Sequence, residues 1–160
     1  MTYLITEDEL IKQTLESAKT IAMVGVSSIK KEVSSNIKRR PSVIVMKYLQ
    51  EFGYRVIPVN PFSVGEKVHG ETIVAKLNDI KIPIDIVDVF RPSTEAPELA
   101  KQAVKIKAKV LWLQYGIQSD DAKKIVESKK IFYISNKCIK QEYQRLFLKI
   151  SPVFPALKSS

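Results

Sequence analysis

Five short apolar runs recur along the chain, each separated from the next by a stretch with helical spacing, and this alternation limits the folds open to it. The runs are Thr20-Ile-Ala-Met-Val-Gly-Val26, Tyr54-Arg-Val-Ile-Pro-Val59, Ile84-Asp-Ile-Val-Asp-Val-Phe90, Lys109-Val-Leu-Trp-Leu113 and Ile131-Phe-Tyr-Ile134. The first is apolar at consecutive positions, the mark of a strand covered on both faces inside a parallel sheet. Strands that alternate with helices pair in parallel through right-handed crossovers and carry helices on both faces. The expected fold class is therefore α/β, a doubly wound, mostly parallel sheet.

Local signals place the helices. Thr6-Glu-Asp-Glu9 is a capping box, and Leu10, Ile11, Thr14, Leu15 and Ala18 continue it at helical spacing to about Lys19. Pro41 stands in the first turn of a helix that Gly53 ends. The stretch from Phe62 to Gly70 reads as turns, and Thr72 to Leu77 as a short helix. Pro92 with Ser93 or Thr94 opens a helix to about Lys107, Ser119 one to Lys129, and Lys137 one to Leu148. The tail from Ser151, with Pro152 and Pro155, is expected to lie over the surface.

At 160 residues the chain is expected to form a single domain, residues 1–160, with no internal repeat or linker. One cysteine, Cys138, forbids an intrachain disulfide and suits a reducing, cytoplasmic setting. The first residues lack the basic start and apolar core of a secretory signal, and no apolar run is long enough to span a bilayer. The formal charge of +9 asks for a polyanionic partner: nucleic acid, anionic lipid or a phosphate-rich small molecule. A lysine-rich, well-solvated surface explains the same number.

In doubly wound folds the ligand sits beyond the carboxyl ends of the strands, so those ends carry the functional signal. After the first strand come Gly25, Val26, Ser27 and Ser28, then a basic stretch with Lys30, Lys31, Lys38, Arg39 and Arg40. Glycine lets a ligand approach the backbone, the serines can donate to phosphate, and the helix opening at Pro41-Ser42 turns free amides to the same place. This is a plausible diphosphate cradle, or else an ordinary βα loop. A dinucleotide site would show Gly-x-Gly-x-x-Gly and an acidic residue ending the second strand. The chain has Gly25-x-Ser27 and Val59-Asn60-Pro61 instead, and it lacks a Walker A pattern.

Catalytic and metal constellations are thin. His69 is the only histidine, and one Cys with one His makes no metal set. Asp85 and Asp88 fall on opposite faces of one strand and form no acid–base pair. Asp88 leaves two readings open, contact with a ligand or a cap on a neighbouring loop. Cys138, between Lys137 and Lys140 at a helix start, is either a reactive thiol within reach of a thiol ligand or a small core residue.

The segments Thr20-Ile-Ala-Met-Val-Gly-Val-Ser27, Arg40-Pro-Ser42, Lys47-Tyr-Leu49, Gly53-Tyr-Arg-Val-Ile-Pro-Val-Asn-Pro61, Gly65-Glu-Lys-Val68, Asp85-Ile-Val-Asp-Val-Phe-Arg91, Lys109-Val-Leu-Trp-Leu-Gln-x-Gly116 and Cys138-Ile-Lys140 together resemble the small stand-alone CoA-binding proteins. That family shares its Rossmann-like fold with the CoA-binding domain of the succinyl-CoA synthetase α subunit. The likeness covers about residues 7 to 147. It implies coenzyme A as the ligand, with Gly25 and Ser27 at the diphosphate and Asn60 and Pro61 beside the nucleotide. Phe90, Arg91 and Pro92 would lie near the adenine, and Gln114 and Gly116 would line the same cleft. Phe90 offers a face to a base and Arg91 a cation to the 3′-phosphate.

Two departures stand out. The first loop is longer and more basic, with an insertion between Ser28 and Arg40, which shifts phosphate contacts toward Lys30, Lys31, Arg39 or Arg40. Phe62 stands where relatives often carry lysine. The resemblance implies binding of CoA or a CoA thioester without catalysis, no specific nucleic acid partner and no membrane. A protein partner or homo-oligomer is left open. The rival readings are an enzyme acting on an acyl-CoA or other nucleotide-linked substrate, and a basic nucleic-acid-binding module.

Overall fold

The computed structural model describes residues 5–27 and 41–149. In chain order the strands are β1 (Thr20–Val24), β2 (Arg55–Val59), β3 (Lys67–Val68), β4 (Glu71–Thr72), β5 (Ile86–Val89), β6 (Val110–Leu113) and β7 (Phe132–Ile134). The helices are α1 (Glu7–Ser17), α2 (Pro41–Glu51), α3 (Ala96–Lys105), α4 (Asp120–Glu127) and α5 (Ile139–Tyr143). Five strands form one sheet in the order β2-β1-β5-β6-β7, and every neighbouring pair is parallel. This is the doubly wound, Rossmann-like α/β fold. The order reverses between β1 and β5, so the switch point lies at their carboxyl ends.

Strand alternation divides the core in two. Ile21, Met23, Ile86, Val110, Trp112 and Ile134 face one side, where α1, α2 and α5 cover them with Ile11, Leu15, Val43, Met46, Leu49 and Ile139. Ala22, Val24, Val87, Val89, Leu111 and Leu113 face the other, under Leu99, Ala100 and Ala103 of α3 and Ala122 and Val126 of α4.

The helix ends follow the sequence. Thr6 Oγ1 accepts from the Glu9 amide at 3.1 Å and the Thr6 amide donates to Glu9 Oε1 at 2.9 Å, the reciprocal cap. Ser119 Oγ accepts from the Ala122 amide at 3.1 Å and starts α4. α5 is shorter than the spacing predicts, beginning at Ile139 and passing into a π-helical turn over Gln144–Leu148. Arg145 in that turn bonds Asp8 at 2.7 Å and Glu142 at 2.6 Å, tying it to α1. The tail from Ser151 lies outside the described residues.

One expectation is overturned. No helix spans Thr72 to Leu77. Lys67–Val68 and Glu71–Thr72 pair as an antiparallel hairpin, Val74 bridges to Val59, and only Leu77–Asp79 makes a 3₁₀ turn. The cause is local: His69 (φ 47°) and Gly70 (φ 84°) both adopt positive φ, the backbone of a two-residue hairpin turn matched to strand twist. The β-branched Thr72, Ile73 and Val74 then favour extended backbone.

Asp85, just ahead of β5, fastens the amino edge of the sheet. Its Oδ2 accepts from the amides of Lys19 at 2.8 Å and Thr20 at 3.1 Å, and Lys109 Nζ lies 3.4 Å from Oδ1. Burial alone would raise this carboxyl, but the two amides and Lys109 outweigh it and hold it below the ordinary value. A carboxylate with a depressed folded pKa stabilises above its unfolded pKa, about 4, and that stability is lost as pH falls through the folded value. Asp85→Asn should therefore cost about 1–3 kcal/mol at pH 7 in urea unfolding. The gap to wild type should narrow from about pH 4 downward; a gap unchanged at pH 3 would contradict this role.

Candidate functional site at the carboxyl edge of the sheet

The ends of β1 and β5 meet closely. Gly25 has φ 104°, and a Cβ there would lie 2.9 Å from the Phe90 carbonyl oxygen and 3.1 Å from Arg91 Cδ. Only glycine accommodates both the backbone conformation and the approach. Its amide donates to the Val59 carbonyl at 2.8 Å, which ties in the end of β2.

Asn60 braces the same corner. Its Nδ2 donates to the Val26 carbonyl at 3.0 Å, and its Oδ1 accepts from the Phe62 amide at 2.9 Å. The second bond is an Asx turn that swings Pro61 and Phe62 outward. Arg91 follows β5 and pairs with Glu95 through Nε at 3.0 Å and Nη2 at 2.7 Å. This bidentate bond holds Glu95 below the usual carboxylate range and raises Arg91 further.

These groups open a cleft of about 520 Å³ on the α3 side of the sheet, lined by Gly25, Asn60, Pro61, Phe62, Arg91 and Leu99 among others. That volume suits a small-molecule site. Lys76 and Arg91 contribute positive charge and Glu95 and Glu98 negative charge.

Of the sequence-predicted residues, Gly25, Asn60, Pro61 and Arg91 converge on the cleft. Ser28 and Arg40 lie outside the described residues, as do Lys30, Lys31, Lys38 and Arg39. Ser27 is half-buried, Val26 is buried in the core beneath it, and Ser42 is buried in the first turn of α2. Phe90 does not line this cleft: its half-buried ring packs on the α1–α2–α5 core, across the sheet. Pro92 is exposed at the start of the Ser93–Glu95 turn, outside the cleft lining.

Gln114 and Gly116 also stand apart. Gln114 is buried and its Oε1 accepts from the Ile139 amide at 3.2 Å, fixing the start of α5. Gly116 has φ 88° and donates to Asn136 Oδ1 at 2.7 Å. The ring that is open at the cleft is Phe62, 77% exposed, which sequence reasoning met only as a departure. Leu99, Glu98 and Gln102 of α3 were missed; their helical spacing on one face of α3 was the available signal.

His69 does not reach the cleft. Its Nε2 lies 3.1 Å from the Val43 carbonyl and pins the hairpin to α2. Cys138 is half-buried against the α1–α2–α5 core. Among the described residues Asp88 caps no loop: it is fully buried in β5, and neither carboxyl oxygen has a hydrogen-bond partner there. Among the described residues, no group of three or more His, Cys, Asp or Glu could hold a metal ion, and no helix is long and apolar enough to cross a membrane.

The fold is a doubly wound α/β domain with a cleft at the β1–β5 switch point. The chain belongs to the CoA binding domain family, whose profile matches residues 19–144. It is 37% identical over 130 residues to the protein YneT of Bacillus subtilis (strain 168), covering 81% of this chain and 89% of that protein. The solved structure of a Thermus thermophilus protein (cell-free ID.343) superposes with TM-score 0.79 at 36% identity, over 89% of this chain and all of that one. A hypothetical protein from Pyrococcus horikoshii OT3 superposes with TM-score 0.77 at 34% identity, over 91% of this chain and 99% of that one.

Gly25 and Gly53 separate the two parts of the glycine requirement. Both have positive φ, 104° and 98°, but a Cβ at Gly53 meets nothing within 4 Å. Alanine at either position should lose roughly 1–2 kcal/mol from the backbone conformation. Gly25→Ala should lose more, because it also drives the ends of β1 and β5 apart. Equal losses in paired urea titrations would disprove the close approach.

Proposed function

We propose that this chain binds coenzyme A, or a CoA thioester, along the carboxyl edge of its sheet and holds it without turnover. The observation that carries the reading is the corner at Gly25, where bare backbone, the Asn60 brace and Arg91 meet in one cleft in a chain of the CoA binding domain family.

The chemistry of the cleft suits the ligand. The diphosphate belongs over Gly25 and Ser27, where backbone can approach it, with the cations of residues 30–40 close by in sequence. Phe62 and Leu99 offer apolar faces to the adenine. Glu95 takes Nε and Nη2 of Arg91, which orients the guanidinium and leaves Nη1 for the 3′-phosphate. The second strand ends in Val59-Asn60 rather than a carboxylate, which argues against an NAD ribose. Holding without turnover rests on the resemblance to the small stand-alone CoA-binding proteins. CoA is the cofactor of this reading, and nucleic acid enters only as a weak, salt-sensitive competitor.

CoA should raise the melting temperature more than dephospho-CoA, ADP or NAD at equal concentration, since a ligand bound only by the folded state stabilises it by mass action. A charge-assisted bond to the 3′-phosphate is worth about 1.5–3 kcal/mol, so dephospho-CoA should bind about tenfold or more weakly. Arg91→Ala should shrink that difference. Equal shifts with CoA and NAD, or none with saturating CoA, would refute the assignment.

A further inference from the structure

Among the described residues, Asp88 is the buried carboxyl left without a hydrogen-bond partner. Several other polar groups on its side of the sheet are paired, although the Tyr48 hydroxyl is not. Trp112 Nε1 donates to the Lys137 carbonyl at 2.8 Å, Gln114 accepts from Ile139, the Tyr54 hydroxyl donates to the Leu15 carbonyl, and Glu142 is held by Arg145. Asp88 has 0% exposure and, among the described residues, no hydrogen-bond partner on either oxygen, in the middle strand of the sheet. An apolar side chain would fill the position at less cost, and an unsatisfied buried group of this kind calls for a reason.

Its place in the register supplies one. Asp88 pairs with Met23 of β1 and Trp112 of β6. By alternation it shares a face with Phe90, Gly25 and Gln114, which stand one step further along the three strands at the carboxyl edge. Two residues along one strand and one strand across set the Cα atoms of Asp88 and Gly25 about 8 Å apart. Phe90, half-buried and packed on that core, stands two residues beyond Asp88 on the same strand face.

Resting on the CoA reading, we propose that Asp88 anchors the pantetheine arm. In this arrangement the arm crosses bare Gly25 to the α2–α5 side, displaces the Phe90 ring, and lays one amide against the Asp88 carboxyl. A neutral carboxylic acid offers one O–H donor and one C=O acceptor, the complement of an amide C=O and N–H. The pair closes as two hydrogen bonds without charge. Burial, the sole cause of the shift, holds the Asp88 carboxyl well above the ordinary range and so in the neutral form this contact needs. The titratable groups turned to this core from the packed elements are Tyr48 of α2, Tyr54 ahead of β2, and Cys138, Glu142 and Tyr143 at α5. Lys140 lies over the Tyr48 ring.

The test compares CoA with adenosine 3′-phosphate 5′-diphosphate, which lacks the arm, by titration calorimetry on wild type, Asp88→Leu and Asp88→Asn. Asp88→Leu should be more heat-stable without ligand at pH 7, bind the arm-less nucleotide as wild type does, and bind CoA about tenfold or more weakly. Asparagine keeps one donor and one acceptor, so Asp88→Asn should retain most CoA affinity. Wild-type affinity for S-methyl-CoA, whose sulfur does not titrate, should fall as pH rises through the raised Asp88 value, and Asp88→Asn should lack that component. Undiminished CoA affinity in folded Asp88→Leu would overturn the anchor while leaving CoA binding intact. Failure of wild type to bind either ligand would overturn the CoA reading and the anchor with it.

Discussion

At the end of β1 the backbone passes so close to the Phe90 carbonyl that no side chain fits between them, and the geometry of the carboxyl edge follows from that approach. The Gly25 conformation (φ 104°) turns the chain away from the sheet plane at the point where the strand order reverses. β2 then leads to one side and β5 returns on the other. The cleft opens where the crossovers diverge, which is why residues far apart in sequence, Asn60 and Arg91, come to share it. The Asn60 side chain spans from the loop after β2 to the Val26 carbonyl, so the two loops on this side of the switch point are held in register.

The same sheet meets its polar obligations unevenly. At its amino edge Asp85 collects two amides and a lysine, and it closes the corner where α1 feeds β1. Three residues later Asp88 collects nothing among the described residues. Their contrast is one of position: the first sits where strand-start amides are left over, the second where every backbone group of the ladder is already paired. A carboxyl in that second setting has to find its partner outside the sheet or remain neutral. Both outcomes distinguish it from the aliphatic residues around it.

Much of this was legible in the sequence, and parity explains much of what was not. Short apolar runs marked all five sheet strands, and the first is continuous because a strand covered on both faces needs no alternation. The hairpin was missed because its turn, His69-Gly70, lacks the Asn-Gly or Asp-Gly signature and its strands are only two residues long. Gly25, Asn60, Pro61 and Arg91 line the cleft, and each ends a strand or follows one directly. The family resemblance grouped Phe90 and Gln114 with them, whereas neither lines this cleft. Counting back by twos sets Phe90 with Asp88 and Ile86, and Gln114 with Trp112 and Val110, on the α1–α2–α5 side. Leu99 and Glu98 arrive from a helix, and no strand-end reading reaches them.

Charge orders the proposed complex along the cleft. The α3 side presents Glu95 and Glu98 beside Leu99, and Glu95 is committed to Arg91. Among the described residues Glu98 has no such cation, and it disfavours a phosphate placed near it. An anionic chain is therefore pushed toward Gly25, while an uncharged ring gains from Leu99 and Phe62 without meeting repulsion. For a ligand with a base at one end and a diphosphate in the middle, only one direction satisfies both conditions: base toward α3, diphosphate over the glycine. The remaining length must then leave across β1 toward the opposite face of the sheet. There the first polar group below the edge row of Gly25, Phe90 and Gln114 is Asp88.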